Sequence, residues 1–376
     1  MTIYNISSNI REIKVLIIGN PHSNEVVRSF LTKFIQNISC FFDKIIIIAG
    51  DKILEENKKI VNYSINYYTS SSLFGRFINV LMSQISYIKF ISLQNDYILA
   101  IIFPQLFILP ILYLKFRGKK IILYMGGRAS KSSSIFFEKI FLYIFETINL
   151  FLANYIIVES FSAIEFLNLN YYKEKIKIIP QGVDIYQFNI RKKIEIRNNL
   201  IGYIGRFSNE KGIMEFIYSL PILFQNQKID INILIIGNGN KIDEIINYIN
   251  NNSIENKIKI LDWIPNSCIS YYLNNLKLLI LPSYSEGLPN IVLEAMACGT
   301  PVLATPVGAI PDVIRDGETG FIMEDNKPET IARHVQRALN SPDLEAIAER
   351  GRKYMEQDFT FEKAVERWGE IFKENQ

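Results

Sequence analysis

The chain has 376 residues, 49% of them hydrophobic and 21% charged, with a net charge of +3. So much apolar side chain excludes a disordered protein, and the length suits two cores of roughly 150 to 200 residues each. So small a net charge gives no argument for nucleic acid as a partner.

Taken in chain order, the N-terminal MTIYNISSNIREIKVLIIG has no basic start, long apolar run or small-residue cleavage site, so no secretory signal is read and a cytoplasmic protein is expected. Cys40, Cys268 and Cys298 are odd in number and in no CxxC spacing. They indicate neither a disulfide framework nor a zinc site and fit a reducing compartment. Short β-branched runs recur at 14–19, 44–50, 97–103, 119–126, 154–160 and 175–182, then at 200–205, 231–237, 257–261, 277–283 and 301–305, with helical stretches between them. Strands this continuously apolar are expected to be buried on both faces, as in a parallel sheet covered by helices. The uncharged run 97–114 sits at the short end of a bilayer span. Two prolines interrupt it and Asp96 and Lys115 flank it, which favours a buried strand followed by an apolar helix.

A charged, turn-rich stretch at 182–199 reads as a linker between two domains. It also divides the charge: residues 1–185 hold 20 basic and 13 acidic side chains, a net +7, which leaves −4 for the rest. The polar tract 249–253 reads as a loop, and Phe361, Ala364, Val365, Trp368 and Phe372 have the one-faced spacing of a helix that docks on something. The expected fold class is α/β, with two doubly wound Rossmann-like domains over 1–190 and 191–360 and a last helix at 361–376 packing back on the first.

Two clusters carry chemistry. In SYSEGLPNIVLEAMACGTPVLATPVG, 283–308, a buried strand ends, Gly287 and Pro289 allow a tight turn, and a helix begins near Asn290. A helix N-terminus at the carboxyl edge of a parallel sheet favours a phosphate. Glu286 in the turn and Glu294 one turn into the helix would repel a phosphate but suit sugar or ribose hydroxyls. The competing reading has Glu286 capping the helix and Glu294 solvated. In GYIGRFSNEKG, 202–212, a strand and the turn at Gly205 lead to Arg206 and Lys211, two cations that would hold a diphosphate at the same sheet edge. No two aspartates stand two apart and there are only two histidines, so neither a DxD metal motif nor a His cluster is present.

With GRFSNEKG, GNGN and SEGLPNIVLEAMACGTPVLATPVGAIPDVIRDGETGF, the chain resembles the retaining glycosyltransferases of family 4, which have the GT-B fold of two Rossmann-like domains facing a cleft. The likeness is strong over about 170 residues of the C-terminal half and weak before it. It implies that Glu294 binds the ribose of a nucleotide sugar, that Glu286 contacts hydroxyls of the donor sugar, and that Arg206 and Lys211 neutralise the leaving diphosphate. It further implies that the backbone of Gly287, Leu288, Pro289 and Asn290 assists, and that Trp263 and Ile264 border the base. The competing reading of Trp263 is a core side chain. A glycan or lipid-linked acceptor is implied, with retained anomeric configuration and no cofactor, since the nucleotide sugar is itself a substrate.

The first domain departs from the family. Its turn GNPHSNE, 19–25, has a single glycine, and Gly126, Gly127 and Arg128 stand where a histidine is common. His22, Gly127 and Arg128 are the acceptor-side candidates. Basic and aromatic residues over 70–90, with KFRGKK at 115–120, suit a helix lying on an anionic membrane surface, so a peripheral position on the inner face of the cell membrane is expected as an alternative to a helix that merely covers a sheet. Two other functions fit the same motifs: a non-catalytic nucleotide-sugar-binding subunit, and a GT-B sugar-nucleotide epimerase. A composition seam falls inside the donor cluster. Ile plus Asn makes up roughly a third of 1–290 but about an eighth of 291–376, while Ala rises from five to nine, as recombination or construction within a shared motif would leave it.

Overall fold

The computed structural model describes residues 14–18, 31–32, 34–35, 38–49, 55–65, 73–94, 97–102, 107–125, 136–225 and 230–374. The chain divides into two compact units. One takes 1–159, 167–179 and 365–376; the other takes 160–166 and 180–364.

Among the described residues the first unit holds seven parallel strands: β1 (Lys14–Ile18), β2 (Lys44–Ala49), β3 (Ile60–Ser64), β4 (Tyr97–Ile102), β5 (Lys120–Tyr124), β6 (Tyr155–Val158) and β7 (Ile176–Ile178), in the order β3-β2-β1-β4-β5-β6-β7. Past their first residues the inner strands β1, β2, β5 and β6 are buried, as are Leu99 to Ile102 of β4, because both faces are covered. Helices α1 (Leu73–Ser92), α2 (Ile108–Phe116) and α3 (Phe136–Leu152) lie side by side, α1 against α2 and α2 against α3. The run 97–114 thus resolves into β4 and the start of α2. Pro110 stands in the first turn of α2, where its missing N–H costs no intrahelical bond. No described helix is long and apolar enough to cross a membrane.

The second unit holds β8 (Leu200–Ile204), β9 (Asn232–Ile236), β10 (Ile258–Leu261), β11 (Leu278–Leu281), β12 (Val302–Ala304) and β13 (Phe321–Ile322), parallel and in the order β10-β9-β8-β11-β12-β13. Its helices are α4 (Phe161–Phe166), α5 (Ile213–Gln225), α6 (Ile242–Asn251), α7 (Asn266–Leu273), α8 (Asn290–Ala297), α9 (Ile310–Val313), α10 (Pro328–Leu339) and α11 (Leu344–Asp358). Helix α4 is tied in by Ser162, whose N–H and Oγ donate to the two carboxylate oxygens of Asp312 at 2.8 and 2.6 Å. Helix α12 (Phe361–Lys373) has its first turn in this unit and the remainder in the other. There Trp368 meets Phe34 edge-on at 5.2 Å and Phe372 meets Phe42 at 4.8 Å.

Several expectations need correction. The stretch read as a linker is packed: Val183, Phe188 and Ile194 are buried in the second unit, and the division falls before Pro180. Arg197 explains why a charged segment can be buried. Its guanidinium donates to the carbonyls of Lys192 and Cys298, each at 2.8 Å, and to Thr300 Oγ1 at 2.7 Å, while burial lowers its pKa to about 10. Edge strands β3 and β13 were not anticipated, because Asn62 and Ser64 break the apolar run of the half-buried first one and the second is two residues long. Helix α6 runs on to Asn251, into the tract expected as a loop. The composition seam marks no structural boundary. Helix α8 carries a buried face from Val292 to Ala297 into the same apolar core as Leu279 and Leu281.

Candidate active site

In each sheet the neighbouring strands β1 and β4, or β8 and β11, are where the strand order reverses, the crevice at which open α/β sheets bind ligands. In the second unit the segments leaving β8 and β11 are the two clusters read from the sequence. After β8 the chain passes Gly205 and Arg206, makes a 3-10 turn over Asn209–Lys211, and enters α5 through Gly212 at φ +63°. A Cβ on Gly212 would overlap the Pro282 carbonyl, so only glycine lets this loop touch the one after β11.

Lys211 and Glu286 meet across that contact. Lys211 Nζ donates to Glu286 Oε2 at 2.7 Å, and Ser283 Oγ donates to Glu286 Oε1, also at 2.7 Å. The Glu286 side chain is 5% exposed and that of Lys211 20%. Thr305 Oγ1 donates in turn to the Ser283 carbonyl, so the carboxylate is oriented from β11 and β12 together. A buried carboxylate is tolerated here because both oxygens have donors, one of them cationic.

Arg206 is also paired. Its guanidinium donates to Glu210 Oε1 at 2.6 Å in an exposed ion pair. Glu210 links the two loops as well, its carbonyl accepting from Tyr284 N at 2.9 Å, and Tyr284 Oη donates to Glu215 at 2.7 Å. Beneath them the Tyr203 hydroxyl donates to the Arg206 carbonyl at 2.8 Å. Burial, with Glu286 adding to it, pushes that phenol well above its ordinary value, so it stays a donor.

Glu294 lies in α8 and is 9% exposed, which rules out the solvated reading. Asn266, at the start of α7, reaches its Oε1 at 3.4 Å. The capping reading of Glu286 fails too, since α8 has no side-chain cap. Of the turn before α8, Gly287 faces open space, Leu288 is buried in the core, and Pro289 has no N–H to offer. Any backbone donors therefore come from Gly287, Leu288 and the first turn that Asn290 begins. Trp263 is 55% exposed, so it is not a core side chain, whereas Ile264 is half-buried against the core. Asp262 fixes their loop, accepting from Trp263 N at 2.6 Å and Asn238 Nδ2 at 3.0 Å.

The second unit thus brings Gly205, Arg206, Lys211, Glu286 and the start of α8 to one sheet edge, with Trp263 and Ile264 in the loop after β10 at that edge and Asn266 carrying the next turn to Glu294. His22, Gly127 and Arg128 lie outside the described residues. Ser283, Thr305, Glu210, Tyr284 and Asn266 escaped the sequence reading. All but Asn266 sit in the two quoted motifs, but the bonds that give these residues roles mostly span distant segments. Among the described residues no three His, Cys, Asp or Glu side chains gather as a metal site would.

Residues 187–354 match the family Glycosyl transferases group 1. The capsular polysaccharide biosynthesis glycosyltransferase CapM of Staphylococcus aureus is 32% identical over 242 residues, 60% of this chain and 62% of that protein. The N-acetyl-alpha-D-glucosaminyl L-malate synthase of Bacillus anthracis is 27% identical over 190 residues, 50% of this chain and 49% of that one. The alignments therefore span between about half and under two thirds of these relatives. Among solved structures, Anabaena HepE in complex with UDP and glucose superposes with a TM-score of 0.73 over 96% of this chain and all of its own, at 16% identity. The fold is GT-B.

Proposed function

We propose that the protein is a glycosyltransferase that moves a sugar from a nucleotide diphosphate donor to a glycan or lipid-linked saccharide, with retained configuration and without a metal or cofactor. The observation that carries this reading is the Lys211–Glu286 pair at 2.7 Å, set beside a helix start with no side-chain cap. One group suits an oxyanion and the other suits hydroxyls.

In this reading Glu294 holds the ribose hydroxyls and Trp263 and Ile264 border the base. Glu286 accepts from hydroxyls of the donor sugar while Ser283 keeps it oriented. The bond that breaks joins the anomeric carbon to a phosphate oxygen, and negative charge grows on the departing diphosphate. Lys211 and the N–H groups at the start of α8 meet that charge already positioned, which is the arrangement that lowers such barriers most. Lys211 is held by the buried Glu286 before the donor arrives, whereas Arg206 exchanges its exposed partner Glu210 for the diphosphate. The likeness to CapM supports a role in cell-surface polysaccharide synthesis, and the UDP and glucose bound by HepE support a nucleotide-sugar donor; a position at the inner face of the cell membrane belongs to the same proposal.

The deciding experiment is Glu286→Ala, assayed for transfer from a panel of nucleotide sugars to a lipid-extract acceptor alongside UDP binding by calorimetry. Loss of turnover with binding retained supports the enzyme. If the unaltered protein binds UDP but never turns over, it is a binding subunit. NMR of the product's anomeric proton tests retention, and an inverted product would refute it.

A further inference from the structure

The outward faces of α1, α2 and α3 are apolar. On α1, Ile78, Leu81, Met82 and Ile85 form one stripe at helical spacing, with Met82 57% exposed. On α3, Ile140, Tyr143, Ile144, Ile148 and Phe151 form another, with Phe151 67% exposed. Leu112 and Phe116, the latter 88% exposed, lie on α2 between them. A helix that covers a sheet has its apolar stripe inward; these three have a second one facing out. Contiguous exposed apolar surface of this kind marks a docking face.

Charge selects what docks. Lys89 and Lys139 are exposed on these helices and Arg117 at the end of α2, and two cations of this unit are paired with aromatic rings. The Arg117 guanidinium lies 5.9 Å from the Tyr113 ring centre, and Lys175 Nζ lies 5.5 Å from that of Phe151. The three helices hold only two acidic residues, Glu138 in the first turn of α3 and Glu146, which is buried. A groove of about 330 Å³ beside the α1 stripe, lined by Asn79, Met82, Ser83, Ser86, Lys89 and Phe90 among others, offers amide, hydroxyl and ammonium groups next to apolar ones. Lys115 and Lys175 lie close enough that the second, after burial, lowers the pKa of the first, a repulsion that a phosphate would relieve.

We propose that the outer face of α1, α2 and α3 docks on an anionic lipid bilayer, its apolar stripes entering the acyl boundary and its cations meeting lipid phosphates. The surface is more extensive than the single helix that the sequence suggested. A protein partner with an acidic rim would match the charge but would leave the aliphatic stripes no reason to be continuous across three helices, whereas a bilayer is itself continuous. The inference rests on the proposed transferase only for its purpose, which is to bring the protein to a lipid-linked acceptor.

The test is sedimentation with vesicles of phosphatidylcholine, with and without about a third phosphatidylglycerol, on the full chain. Binding to the anionic vesicles that falls at least about tenfold in Arg117→Glu/Lys139→Glu supports the proposal. So does a comparable loss in Met82→Glu/Ile144→Glu, with circular dichroism and UDP binding unchanged in both variants. Equal binding to neutral and anionic vesicles, no binding to either, or a self-association that these variants abolish would each overturn it. Because UDP binding and transfer are read separately, a failure here leaves the transferase reading standing.

Discussion

Lys211 and Glu286 form a charge pair at 2.7 Å between loops from two different strands, and one partner of it is almost wholly buried. Removing the ammonium strands a carboxylate whose other oxygen is held by Ser283. Lys211→Met is expected to destabilise the protein by roughly 1–3 kcal/mol, below the range for fully buried pairs because Lys211 retains some solvent. Lys211→Met/Glu286→Gln is expected to recover most of that stability while turnover stays at least about 10²-fold down. Urea titrations and kcat on the unaltered protein, Lys211→Met, Glu286→Gln and the double variant complete the cycle.

Glu210 gives the opposite expectation. Its pair with Arg206 is exposed, so Glu210→Gln should leave the melting temperature unchanged. The main-chain bond from Tyr284 N to the Glu210 carbonyl survives the substitution. What changes is the counter-charge that competes with a diphosphate for Arg206. UDP affinity at low ionic strength should therefore rise by a factor of about 2 to 5, and the gain should vanish in high salt. Calorimetric titration at two salt concentrations reads both.

Much of this was legible in the sequence because it depends on local pattern. The continuous apolar runs gave the central strands, and the placement of Arg206 to Lys211 and Glu286 to Asn290 after strands gave the sheet edge on which they lie. What was illegible depends on three-dimensional closure. Arg197 looked like part of a charged linker, yet it is buried because carbonyls from Lys192 and Cys298 and the hydroxyl of Thr300 surround it. Ser283 looked like the end of a strand, yet it orients Glu286, and no spacing rule distinguishes it from any other serine. Of the four edge strands, β7 and β10 have readable apolar runs, whereas β3 is broken by Asn62 and Ser64 and β13 is two residues long, too short for any pattern.

Acid should weaken the second unit through Glu324. Its own backbone N–H and then Arg333 hold its carboxyl down to about 2, with His334 Nε2 at 2.6 Å from the other oxygen. Asp316 is also lowered: bonds from Arg337 and Ile322 N outweigh the effect of its burial. For a carboxyl depressed in the folded state, the unfolded chain binds the extra proton. The stabilisation is thus present above about pH 4.5 and is lost as pH falls towards about 2. Thermal melts across that window should show the loss, and Glu324→Gln should flatten the curve there.

Gly287 and Gly308 provide a paired test of whether the donor cluster is built for a ligand. Gly308 has φ +58°, and a Cβ there would overlap the carbonyl of Glu286. Gly308→Ala must therefore displace the Glu286 turn as well as adopt a left-handed backbone, at a cost of at least about 1–2 kcal/mol, which in a protein of this size lowers the melting temperature by several degrees. Gly287 is the converse case: its added Cβ would meet nothing within 4 Å, and its backbone requires no left-handed angle. Gly287→Ala should melt as the unaltered protein does. If a diphosphate lies against this turn, the same methyl group occupies the space where it would approach, and UDP affinity should fall by about tenfold or more. Unchanged affinity in Gly287→Ala would show that the nucleotide does not lie against this turn.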